Sequence, residues 1–206
     1  RLNDNILSAT QRADPAFRRQ ILKLEKEEKV PEIQRDIFRI GEYLINNCNL
    51  ELIIDEGIFV DDDYMQEIEK LRSLYSNKIP VMERVARDDK ALEALMEMAY
   101  QEEGIELRPS ILLPMLHNAR TQGAEDEKAY DTHVSLARDT EASNGFTKFR
   151  SAFILGNTPR VIMREYKQKK IKSMQAMIII GYEHVNDMIK WSHQDDIIIE
   201  HPSGDH

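Results

Sequence analysis

The chain has 206 residues, 41% hydrophobic and 32% charged, with a formal net charge of −9. That composition supplies a folded core and excludes a chain disordered throughout. A single cysteine, Cys48, excludes an intramolecular disulfide and a thiolate metal cluster, and no apolar run approaches the roughly 20 residues needed to cross a bilayer. No secretory leader is visible and the chain opens on Arg1, so the expectation is an intracellular fragment or processed product, cytoplasmic or nuclear, with no membrane partner.

Helical periodicity dominates from the start. Asp14-Pro15 offers a cap and a first-turn proline for a helix carrying Phe17, Ile21 and Leu24, with the charged run Lys23–Lys29 in solvent. Pro31 reopens a helix in which Ile33, Ile37, Ile40 and Leu44 recur every three or four residues, and Asn46, Asn47 and Asn49 favour its end. Leu52-Ile53-Ile54 and Ile58-Phe59-Val60 flank Asp55-Glu56-Gly57. The pattern suits a short hairpin or a helical turn, and with no neighbouring segment that reads as a sheet, irregular or helical structure is expected.

Asp61-Asp62-Asp63 then precedes Met65, Ile68, Leu71 and Leu74, acidic residues at the positive end of a helix. Pro80 starts a short helix through Met82 and Val85. Asp88 or Asp89 caps the next, with Leu92, Leu95, Met96 and Ala99 inside and Gly104 at its end. Pro109-Ser110 introduces a helix over 111–120, Gly123 breaks the chain, and a further helix is predicted over 125–140. Asn144-Gly145 reads as a breaker and as the subdomain boundary, giving an acidic helical domain at 1–144 and a basic segment at 145–206. A continuous bundle across the junction is the alternative.

Beyond it, Phe146–Leu155 reads as a short helix, Gly156-Asn157 as its turn, and Thr158-Pro159 as the start of a long C-terminal helix reaching Trp191. Ile171, Met174, Ile178, Gly181, Val185 and Met188 would form its seam, and the end at 195–206 is expected to be extended. The fold expected is all-α, a multi-helix bundle or short helical array with a long last helix.

The chemistry is concentrated in one charge reversal. Lys148, Arg150, Arg160, Arg164, Lys167, Lys169, Lys170 and Lys172 are opposed only by Glu165, inside an otherwise acidic protein. Such a run concentrates positive potential and points to a protein partner with an acidic surface. Its helix–turn–helix outline makes nucleic acid the alternative: cations for phosphates, with Phe146, Phe149 and Tyr166 able to stack unpaired bases. Met174, Ile178, Tyr182, Val185, Met188 and Trp191 are candidates for a helix-docking or self-association face.

Other motifs carry less. Asp61-Asp62-Asp63 and Glu125-Asp126-Glu127 are read as helix-capping acids, since neither has the spacing of a calcium loop. His193, Asp195, Asp196, His201, Asp205 and His206 read as a polar tail; no zinc-protease pair, nucleophile elbow or phosphate loop is present. Glu93 with Glu97, or Glu103 with Glu106, could serve a magnesium-dependent hydrolase, the weakest of three readings. The sequence alone thus favours a binding or scaffold domain over an enzyme, with no cofactor and no metal.

Overall fold

A computed structural model describes residues 30–99, 107–136, 140–181, 184–185 and 187–189, with side chains omitted at 136 and 140–146. The chain divides into two compact units: Arg1–Asn49 with Tyr64–Ala119, and Leu50–Asp63 with Arg120–His206.

The first unit is helical. Helix α1 spans Val30–Cys48, α2 Tyr64–Leu74, α3 Ile79–Val85, α4 Asp89–Met98 and α5 Pro109–Leu116. The short helix α5 is its hub, touching α1, α2 and α3 and burying every residue from Pro109 to Met115. Helix α1 buries Phe38 and Gly41, half-buries Ile37, Ile40 and Leu44 and leaves Ile33 exposed, so its inner face is rotated from the isoleucine stripe toward Phe38 and Gly41. Asn49 ends the helix at φ 55, a conformation asparagine tolerates. Asp88 caps α4 by accepting from the Ala91 N–H at 2.9 Å. Between α1 and α4, Arg35 meets Glu93 at 2.6 Å and Arg39 meets Asp89 at 2.8 Å.

The second unit overturns the all-α expectation. Strand β1 (Leu52–Phe59) lies at the centre of a three-stranded parallel sheet, between β2 (Arg120–Glu125) and β3 (Met177–Ile179). Helix α6 (Glu127–Leu136) follows β2, and α7 (Thr140–Lys167) packs along the sheet. The protein is therefore α/β, neither a helical bundle nor a helical array. The strands hide because their partners are remote in sequence: Ile53 pairs with Thr121 on one side and Met177 on the other. The sheet that β1 lacked locally is assembled from segments about 60 and 120 residues downstream, as parallel pairing permits.

The long C-terminal helix is corrected as well. Its predicted seam is cut by β3, so Ile178 is a strand residue and Val185 and Met188 lie beyond the strand, buried. Conversely, Gly156-Asn157 makes no turn. α7 runs unbroken through Asn144-Gly145, Gly156-Asn157 and Pro159, which removes the helix–turn–helix outline. Proline at 159 withholds the N–H that the Leu155 carbonyl would receive. The side chains of Ser151 and Thr158 donate back to the Thr147 and Ile154 carbonyls at 2.9 and 2.8 Å.

The core of this unit comprises Leu52 and Ile54 of β1, Ala124 of β2, Ile154 and Val161 of α7, and Ile171 and Met188, with Ile178 packed against it. Alternation along β1 sends Leu52 and Ile54 to the α7 face. Among the described residues no helix is long and apolar enough to cross a membrane. The predicted helix at 14–29, Tyr182, Trp191 and the histidine-rich tail lie outside the described residues.

Candidate functional site

All three strands are parallel, so their carboxyl ends lie along one edge of the sheet, the edge where open α/β sheets hold ligands. β1 delivers Asp55 and Glu56 there, β2 delivers Glu125, and the chain leaving β3 delivers Gly181, His184 and Asp187. The first half of α7 brings Arg150 and Ser151, and α6 brings His133.

Two close approaches by glycines make the edge possible. The pairing of β1 with β2 is irregular between Asp55 and Phe59, and the Ile58 and Phe59 carbonyls crowd Gly123. A Cβ at Gly123 would overlap the Ile58 carbonyl, so glycine is required where β1 bulges against β2. At Gly181 a Cβ would stand 2.9 Å from Glu56 Oε1. Its absence lets the Gly181 N–H donate to Glu56 Oε2 at 2.7 Å.

Glu56 is the pivot. Its Oε2 also lies 3.6 Å from His184 Nε2, and its side chain is 20% exposed while His184 is wholly buried. On its other nitrogen, His184 Nδ1 is 2.7 Å from Ser151 Oγ, itself fully buried. Two proton arrangements fit this chain. Ser151 can donate to the Thr147 carbonyl and accept from Nδ1–H, leaving the Nε2 lone pair toward Glu56; or it can donate to Nδ1, with Nε2–H toward a Glu56 carboxylate. The first suits a protonated Glu56 and the second an ionised one, so they differ by one proton at Glu56 and by the tautomer of His184. Burial pushes the Glu56 carboxyl up to about 7, opposed by the Gly181 N–H and the Arg150 charge and reinforced by Asp55 and Glu125. Asp187 Oδ2 stands 3.5 Å from Ser151 Oγ.

Beside this chain lies a buried ion pair. Arg150 Nε and Nη2 donate to the two oxygens of Glu125 at 3.1 and 2.7 Å, a bidentate fork. Its Nη1 lies 2.8 Å from His133 Nδ1, and because a guanidinium only donates, that nitrogen must accept. The Arg150 guanidinium also covers the Tyr130 ring at 5.3 Å, whose edge contact with Phe59 spans 5.6 Å. Asp55 accepts from the Gly57 N–H at 2.8 Å, and Asp126 caps α6 through the Ala129 N–H at 2.9 Å. Capping thus accounts for Asp126 of the acidic triplet, while Glu125 belongs to the site.

The basic residues singled out in the sequence do not form one surface. Arg150 is buried on Glu125. Glu165, the lone acid of the run, is 1% exposed and is approached by Arg120 at 3.0 Å, Arg164 at 3.6 Å and Lys170 at 3.9 Å. Arg164 also donates to the Val60 carbonyl at 3.1 Å and to Gln122 at 3.3 Å. Lys148, Arg160, Lys167, Lys169 and Lys172 present exposed side chains. Of the predicted interface, Met174 is exposed, whereas Ile178, Val185 and Met188 belong to the interior of the second unit.

Of the carboxylates considered for a hydrolase, Glu93 is engaged by Arg35 and Glu103 and Glu106 lie outside the described residues. Among the described residues no three His, Cys, Asp or Glu side chains stand together as metal ligands. Sequence reasoning missed Glu56, Glu125, Ser151 and His184 as a set; Gly181 followed by His184 just after an Ile-rich run was the available signal. No protein-family model, curated protein or solved structure matches the chain.

Proposed function

We propose that the carboxyl edge of the sheet is a hydrolytic centre in which Glu56 moves the proton and His184 shares it. The observation that carries this reading is the Gly181–Glu56–His184–Ser151 chain, with a carboxyl poised near 7 at its partly exposed end. Glu56 as carboxylate takes a proton from water, the oxygen attacks a carbonyl carbon, and the proton held by Glu56 or His184 passes to the leaving group. Ser151 is too enclosed to attack a substrate and serves to orient the imidazole. Arg150 and Glu125 neutralise each other and hold the frame beside it. Asp55 and Asp187 beside the site disfavour a phosphate substrate, so an ester or amide is expected.

The test is turnover of nitrophenyl esters, aryl amides and nitrophenyl phosphate by the wild type, Glu56→Gln and His184→Gln. Ester or amide cleavage that rises through pH 7 and falls at least about 100-fold in both variants is expected. Cleavage indifferent to both substitutions, or cleavage of none of the panel, refutes the proposal.

A binding role for the exposed cations of α7 is a second reading. Its support is that these residues stay in solvent while the inner face of the same helix is consumed by the core.

A further inference from the structure

Helix α7 has two faces of opposite character. Arg150, Ser151, Ile154, Asn157, Thr158, Val161 and Glu165 are buried and line one side of the helix. The opposite stripe runs Phe149, Phe153, Gly156, Arg160, Met163 and Lys167, at offsets of 4, 7, 11, 14 and 18 residues from Phe149, so all six fall within a narrow arc of the helix surface. Phe149 is 51% exposed and Met163 41%, with Tyr166 beside them at 43%. Phe149 and Phe153 meet edge to face at 4.8 Å and make one apolar knob. At the middle of the stripe nothing lies within 4 Å of where a Gly156 Cβ would be, so another backbone can come close there.

We infer that this stripe is a docking face for an acidic amphipathic helix of another protein. Between Thr147 and Lys167 the only carboxylate is Glu165, and it points inward; the outer side offers Lys148, Arg160 and Lys167 alone. An apolar line interleaved with cations matches a helix with an apolar seam flanked by Glu or Asp. A second copy docking through the same stripe would gather two sets of these cations with no carboxylate from either stripe, an arrangement that repels itself. Nucleic acid fits less well: α7 is continuous, so no separate recognition helix exists, and Phe149, Phe153 and Met163 occupy positions where phosphate binding calls for donors.

The test uses the full chain and two synthetic 20-residue helical peptides with the same leucine seam, one flanked by Glu and one by Lys. Fluorescence anisotropy should show binding of the Glu-flanked peptide, at least tenfold weaker binding of the Lys-flanked one, and at least tenfold loss with Arg160→Glu plus Lys167→Glu. Met163→Ala and Phe149→Ala, both on the exposed face, should each weaken binding severalfold with an unchanged circular dichroism spectrum. Four results overturn the inference. One is no binding of the Glu-flanked peptide up to about 1 mM. A second is equal binding of both peptides. A third is tight oligonucleotide binding that the charge reversals abolish and Met163→Ala leaves intact. The fourth is a dimer in sedimentation that Met163→Glu dissolves.

Discussion

Glu56→Gln separates an ionisable site carboxyl from a structural one. In the folded protein the group ionises at about 7, against an ordinary 4.5, because most of its side chain has left water. The sign follows from linkage. Between these two values the folded state holds a proton that the unfolded state has released, so stability falls as pH rises from 4.5 to 7 and then levels. A shift of that size, at about 1.4 kcal/mol per unit, costs on the order of 3 kcal/mol in the window. Glutamine keeps an oxygen for the Gly181 N–H and carries no charge to desolvate. Urea unfolding at constant ionic strength, from pH 4 to 8.5, should therefore show wild type and variant equally stable near pH 4. By pH 8 the variant should lead by up to about 3 kcal/mol. Carbon-detected NMR of the Glu56 carboxyl should place its midpoint near 7 directly. A difference curve flat across the window, or one in which the wild type gains on the variant as pH rises, refutes the account of this site.

Other substitutions probe the frame around it. Arg150→Met leaves Glu125 charged and buried, so it should cost about 3–5 kcal/mol in urea unfolding, whereas Arg150→Met with Glu125→Leu should recover most of that; independent effects that simply add would disprove the pairing. Gly123→Ala drives a methyl into the Ile58 carbonyl and should cost on the order of 3 kcal/mol, measurable as a fall in Tm, while Gly156→Ala, with open space around it, should raise helix stability by about 1 kcal/mol. Gly181→Ala meets first the movable end of Glu56, so it should leave stability nearly unchanged near pH 4, where Glu56 is protonated folded and unfolded, while moving the Glu56 midpoint and suppressing any ester or amide turnover.

The sequence disclosed the helical unit well and the sheet hardly at all. Pro80, Asp88 and Pro109 carry local signals for helix starts, and the helices begin beside them. A strand's signal is alternation, and none of the three shows it cleanly. β1 has a continuous apolar run, because Leu52, Ile53 and Ile54 are all buried. β2 reads Arg-Thr-Gln-Gly-Ala-Glu, in which Thr121, Gln122 and Glu125 are buried by tertiary structure the sequence does not display. β3 sits in an Ile-rich run whose three-and-four spacing imitates a helix seam. Glu125 looked like a helix-capping acid because it stands two residues before one, next to the actual cap Asp126. Its guanidinium partner lies 25 residues away, and the imidazole that faces Glu56 is 128 residues from it in sequence.

Charge supplies the last link between fold and site. In the sequence the basic run is a single feature, but α7 divides it by direction. Arg150, facing inward at the carboxyl edge of the sheet, is neutralised by Glu125. Arg120, Arg164 and Lys170 gather on Glu165 farther along the same helix, toward the start of β2. Lys167, Lys169, Lys170 and Lys172 follow at the negative end of the helix dipole, where cations are favoured without any partner. Much of the run therefore has a structural reason to be basic. What that reason leaves over is Arg160 on the outer stripe and exposed Lys148 on the flank of the helix, both back from its terminus. These two, with the apolar side chains between them, are where selection for a partner can be sought apart from selection for folding. A charge reversal at Arg160 should change binding and leave stability within about 0.5 kcal/mol, whereas one at Arg164, bonded to Val60 and Gln122, should cost stability first.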